Sequence, residues 1–248
     1  MTRISVELVP RDIEVLKEEV KTIKEKLSDV DFINIPDLLS CDTRSWDGAN
    51  IAKAYFDDVV PHLRAMDFDF TKELPIKDKL REYNIKEVLV IEGDPPQSML
   101  YQVYPTISTD IIKKFSEEMP EITVYAGIDQ YRSSMKEEEY RIRRKQLAGA
   151  KGFFTQPFFD MRYLEMYADL LDGLDIYWGV SPVLSERSVS YWRNKNNVIF
   201  PKDFEPTLEW NIEFARKVID FARKHNHNVY LMPIKAKIMP YLEGVFAK

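Results

Sequence analysis

The chain has 248 residues, enough for one large core, and no linker divides it, so a single domain spanning 1–248 is expected. Apolar residues make up 45% and charged residues 31%, the balance of an ordinary globular protein; no apolar run is long enough to span a bilayer. A net charge of −6 argues against nucleic acid as a partner, and Cys41, the one cysteine, excludes an internal disulfide and a cysteine zinc cluster. With only His62, His225 and His227, a histidine metal site is not expected either.

Taken in chain order, the first residues Met1–Glu7 carry charge where a signal peptide needs an apolar core, so a cytoplasmic protein is expected. Ile4–Val9 is the first predicted strand. A helix follows, with Ile13, Leu16, Val20, Ile23 and Leu27 on one stripe. Further strands are predicted at Phe32–Pro36, His62–Met66, Glu87–Glu92 and Thr123–Ile128. A helix from about Lys136 stops at Ala148, before Gly149. Strands at Gly152–Gln156, Asp175–Ser181 and Val229–Met232 complete the set, with a helical stripe of Ile212, Ala215, Ile219 and Ala222 before the last. Several strands lack polar alternation, as when both faces are buried. Eight strand–helix units without a reversal predict an α/β fold, a (β/α)8 TIM barrel.

In such a barrel the active site sits at the carboxyl ends of the strands. Glu7 is a carboxylate in an otherwise apolar first strand. It is costly there unless paired or used, and desolvation should raise its pKa into the range of a general acid. A salt bridge to a basic residue at the barrel bottom is the structural alternative, and position alone does not choose between them. Asp94 follows the fourth strand, Tyr125 and Asp129 lie near the end of the fifth, Gln156 ends the sixth and Ser181 the seventh.

Five segments in order resemble the methylenetetrahydrofolate reductase family. They are Ser5-Val6-Glu7-Leu8-Val9-Pro10-Arg11, Pro61-His62-Leu63, Gly93-Asp94-Pro95-Pro96, the stretch from Arg144 to Asp160, and Gly179-Val180-Ser181-Pro182-Val183. The fourth is the most specific, with its Ala148-Gly149-Ala150 and Thr155-Gln156. The resemblance implies an oxidoreductase that reduces 5,10-methylenetetrahydrofolate to 5-methyltetrahydrofolate, with NADH or NADPH as electron donor through bound FAD. It implies that Glu7 is the acid that protonates N10, that Asp94 is the carboxylate beside flavin and folate, and that Gln156 reads the pterin. It places His62, Tyr125, Asp129, Glu138 and Lys145 on the flavin side, Trp192 as a stacking ring, and Lys235 at the folate tail. The partner it implies is a small folate, with a homo-oligomer or a partner subunit completing a chain that is short for the family.

Some flavin-side positions depart from the family pattern. Pro36 stands for a threonine, Glu92 for an arginine, Asp129 for a histidine and Ser188 for a glutamine. The charged changes add negative charge where a diphosphate would lie, with Lys145, Arg132 or Arg141 as compensating cations. The alternative is a folate-binding protein, or a reductase subunit, without flavin.

Overall fold

The structure is a computed structural model that describes residues 2–96, 98, 101–234 and 236–247. Eight parallel strands close into one barrel in sequence order: β1 (Ile4–Glu7), β2 (Phe32–Ile35), β3 (Val59–Arg64), β4 (Glu87–Ile91), β5 (Thr123–Ile128), β6 (Gly152–Pro157), β7 (Ile176–Val180) and β8 (Asn228–Leu231). β8 returns to β1 with Ile4 opposite Val229, so no strand edge is left open. The sequence placed the third strand three residues late: it starts at Val59, and Ala65–Asp67 is a 3₁₀ turn rather than strand.

The outer helices are α1 (Ile13–Lys26), α2 (Ser45–Ala52), α3 (Lys77–Glu82), α4 (Ser108–Glu118), α5 (Met135–Ala148), α6 (Met161–Leu170), α7 (Glu186–Asn196), α8 (Leu208–His225) and α9 (Ile238–Phe246). In α1, Asp12 caps the start by accepting from the N–H groups of Glu14 and Val15, and Leu16, Val20 and Ile23 are buried against the barrel. Ile13, at the head of the expected stripe, stays exposed. Ser134 caps α5, which ends at Gly149 with φ +121, a conformation that favours glycine; a side chain there would also run into Ser116.

The two faces of the barrel wall carry different cores. Outward-facing strand residues and the helices form a large aliphatic shell. Inside, Phe32, Val60, Leu89, Tyr125, Phe154, Tyr177, Tyr230 and Met232 pack together, with Phe154 and Tyr177 stacked at 4.1 Å. This plug divides the interior into an amino-terminal floor and a carboxyl-terminal mouth. Among the described residues no helix is long and apolar enough to cross a membrane.

Candidate active site at the barrel mouth

The mouth has two halves. On the β8–β1–β2–β3 side, Glu7 ends β1 and is buried, and its carboxylate accepts a hydrogen bond from the Tyr230 hydroxyl of β8. No cation pairs with it among the described residues. Burial pushes the Glu7 carboxyl from its ordinary value of 4.5 up to about 7, while the Tyr230 hydrogen bond pulls the other way. Next along the wall, Asn34 of β2 lies opposite Glu7 in register, and its Oδ1 is 3.3 Å from Nε2 of His62 on β3. Burial lowers the pKa of His62 to about 3, so the ring is neutral near pH 7 and donates to Asn34 rather than bringing a charge to Glu7. Asn34 Nδ2 is buried without a partner, a donor that nothing in the described chain satisfies.

On the β4–β5–β6 side lies a cavity of about 600 Å³. Asp94, Asp129, Glu138, Lys145 and Gln156, all singled out in the sequence, line it together. Their placement follows from local structure. Gly93 takes φ +87 at the end of β4, which turns the chain so that Asp94 meets the cavity. Arg64 of β3 holds that turn by donating to the Asp94 carbonyl at 2.8 Å; its Nε also reaches Asp67 at 3.3 Å. At Gln156 the β6–β7 register is irregular between Phe154 and Pro157, and Thr155 turns its hydroxyl to accept from Gly179 N–H. Gln156 is left exposed at the cavity, with its carbonyl held by Gln130 at 2.7 Å.

The basic side of this cavity comes from α5 and the loop before it. Lys145 donates to the Gly127 carbonyl at 2.6 Å, and burial lowers its pKa, opposed by Glu138 and Glu92. Arg141 pairs with Glu137 at 2.9 Å and reaches the buried Glu138 at 3.4 Å. Arg132 and Arg144 also line the cavity, and their side chains make no hydrogen bond or ion pair among the described residues. Glu92 is already engaged: its two oxygens accept from the Ser108 N–H at 3.1 Å and hydroxyl at 2.6 Å. It therefore satisfies the positive amino end of α4, which explains how an acid is tolerated there.

Three of the expected residues, Tyr125, Trp192 and His62, do not line this cavity. Tyr125 is a correction: its hydroxyl points to the floor, donating to Glu87 Oε1 at 3.0 Å and lying 3.3 Å from Arg3 Nη1. It is the third residue of β5 and sits within the plug, too deep to reach the mouth. Trp192 is half-buried in a satellite apolar cluster, 6.1 Å from the Phe159 ring, and does not line the cavity. There it packs α7 onto the Phe159 side of the cluster. Lys235 lies outside the described residues. His62 is at the mouth but on the Glu7 side, not at the 600 Å³ cavity. Sequence reasoning missed Tyr230, Arg64 and Gln130. Arg64 left a signal, a cation inside a buried strand; the other two depend on partners that only the closed barrel brings near.

No known family's sequence profile matches the chain. A 5,10-methylenetetrahydrofolate reductase from Buchnera aphidicola subsp. Schizaphis graminum is 22% identical over 147 residues, 57% of this chain and 50% of that protein. The chain is thus similar to this reductase at the distance of a remote relative. The aligned part spans only half of that curated reductase. Among solved structures, an uncharacterized Clostridium thermocellum protein that binds two copies of 5-methyl-5,6,7,8-tetrahydrofolic acid superposes on this barrel with a TM-score of 0.65. It is 14% identical, and the match covers 98% of this chain and 94% of that one. An oxaloacetate acetylhydrolase superposes with a TM-score of 0.62 at 10% identity, over 96% of this chain and 77% of that one. At these identities the superpositions show the shared barrel fold.

Proposed function

We propose that the chain is an oxidoreductase of one-carbon metabolism that reduces 5,10-methylenetetrahydrofolate to 5-methyltetrahydrofolate, drawing electrons from NADH or NADPH through bound FAD. The observation that carries this reading is Glu7: a buried carboxyl at a strand's carboxyl end, without a cation among the described residues, pushed up to about 7. Such a group holds a proton near neutral pH and can release it to a leaving nitrogen. In this reading Glu7 protonates N10 as the methylene bridge opens, and the Asp94 carboxylate stabilises the resulting cation. The Gln156 amide, with both a donor and an acceptor, reads the pterin edge.

The residues at the 600 Å³ cavity fit an anionic cofactor. Arg132 and Arg144 are unpaired among the described residues, Lys145 and Arg141 lie on the same side, and the Glu92 charge is turned to α4. These four cations would hold a diphosphate, in place of the α4 amino end that Glu92 fills. FAD bound there would supply hydride transfer between the nicotinamide donor and the folate. The second reading, a folate-binding protein without flavin, draws on the same cavity: Glu92, Asp94, Asp129 and Glu138 line it alongside the four cations. That balance leaves little net attraction for a dianion.

The visible spectrum of the purified protein separates the two. Flavin absorbance that bleaches with NADH or NADPH is expected under the first reading. A colourless protein that binds 5-methyltetrahydrofolate would establish the second. Glu7→Gln then tests the chemistry: flavin reduction should persist while methylenetetrahydrofolate reduction is lost, because only the folate half-reaction needs the proton. Equal loss of both would remove Glu7 from this role.

A further inference from the structure

Glu7 does not line the 600 Å³ cavity; it forms the inner end of a separate one of about 190 Å³. This second cavity runs between the loop and helix after β1 and the segment from β8 into α9. Its volume holds several waters, since each occupies roughly 30 Å³ in the liquid. Its outer end reaches Arg11, Asp12 and Val15, all exposed. Glu19 lines the same cavity, half-buried, on the α1 face that also carries Asp12 and Val15.

We propose that this cavity is the route by which Glu7 recovers its proton from solvent, with Glu19 as a positioning acid along it. The proposal rests on the reading of Glu7 as the proton donor. Each reduction consumes one proton, and a folate seated over the mouth shuts the interior face of Glu7 from water. An acid that turns over beneath its substrate needs a second entrance, and the Glu7 wall of this cavity supplies one. One proton leaves Glu7 for the substrate nitrogen and one enters from water by way of Glu19, so both carboxyls end the cycle as they began.

The charges around Glu19 suit that task. Asp12 is occupied capping α1 through the N–H groups of Glu14 and Val15. The side chain of Glu19 makes no hydrogen bond or ion pair among the described residues. Burial raises its pKa, with Arg11 opposing. The β8–α9 side contributes Pro233, Ile234, Ala236 and Ile238, none ionisable, so among the described lining residues Glu19 is the carboxyl left to pass a proton inward.

The test follows the infrared carbonyl band of protonated Glu7, identified by its loss in Glu7→Gln, after rapid mixing into D₂O with 5-methyltetrahydrofolate bound. Glu19→Gln removes the relay group and Ala236→Phe fills the cavity. Each should slow deuteration of that band severalfold. Steady-state folate reduction should fall by a similar factor, while a single turnover begun with Glu7 protonated keeps its rate. Unchanged exchange and steady-state rates in both variants overturn the route, as does a first turnover slowed as much as later ones. Should Ala236→Phe not fold, Glu19→Gln gives the same readouts alone. Absence of the Glu7 band near neutral pH, or full turnover by Glu7→Gln, is a different failure, that of Glu7 as the acid.

Discussion

Two glutamates sit inside this barrel, one at each end. Glu87 opens β4 at the floor, where both Nη atoms of Arg3 approach its two oxygens at 3.2 Å and the Tyr125 hydroxyl adds a bond at 3.0 Å. Glu7 closes β1 at the mouth with the Tyr230 hydroxyl and, among the described residues, no cation. The aromatic plug keeps the two apart, so the Arg3 guanidinium, stacked over Phe32 at 4.4 Å, serves the floor alone. The same side chain is an ion-pair member at one end and, in the proposed reading, a proton store at the other. What separates them is whether a guanidinium replaces the water lost on burial.

The largest test of this contrast removes the mouth carboxyl. Glu7→Gln should lower folate reduction by roughly 10²- to 10⁴-fold, the usual contribution of a positioned acid, in a stopped-flow half-reaction. The same variant tests the charge account through stability. Glu7 binds its proton more tightly folded than unfolded, so between about pH 4.5 and 7 the unfolded chain holds fewer protons and stability falls as pH rises. A displacement from 4.5 to about 7 corresponds to about 3 kcal/mol across that window. His62 acts with the opposite sign: held neutral down to about 3, it favours the fold above its ordinary 6.5, and that gain is lost as pH falls toward 3. Denaturant titrations should therefore show the Glu7→Gln stability rising more steeply with pH than that of the unsubstituted chain. Parallel curves would mean that Glu7 is ionised in the folded protein.

Removing the floor cation is the next largest effect. Arg3→Met strips Glu87 of its partner and should cost about 2 kcal/mol in denaturant unfolding, less than for a fully buried pair because Arg3 is 30% exposed. It should leave the pH dependence of folate reduction unchanged, since the plug lies between; a shifted profile would join the two ends electrostatically. Smallest is Tyr230→Phe. It deletes the bond that favours ionised Glu7, so the pH at which folate reduction falls off should move upward, with a stability loss of about 1 kcal/mol. A downward movement would reverse the assigned direction of that hydrogen bond.

The strand spacing announced the barrel, because eight apolar runs alternating with amphipathic helices admit few other closures. The largest error in a strand start was β3, whose first residues Val59–Pro61 include a proline that reads as a break. Glu7, Asp94 and Gln156 stood out in the sequence as polar residues at or just beyond the ends of apolar strands, and the structure puts Asp94 and Gln156 on one cavity and Glu7 on another. Glu92 looked like a liability in the sequence and is a helix cap in the structure. Tyr125 fitted the motif order, yet its depth in β5 sends its hydroxyl to the floor.

By itself, then, the sequence determined the alternation of elements, the inward polar residues at strand ends and the likeness to a reductase family, all properties of neighbouring positions along the chain. Only the tertiary structure decided that Tyr230, 223 residues away, is the partner of Glu7, that Arg3 is spent on Glu87, and that a cavity reaches Glu7 beside α1. The reason is physical: burial, pairing and access depend on the register and closure of strands distant in sequence, and a charge takes its pKa from those surroundings.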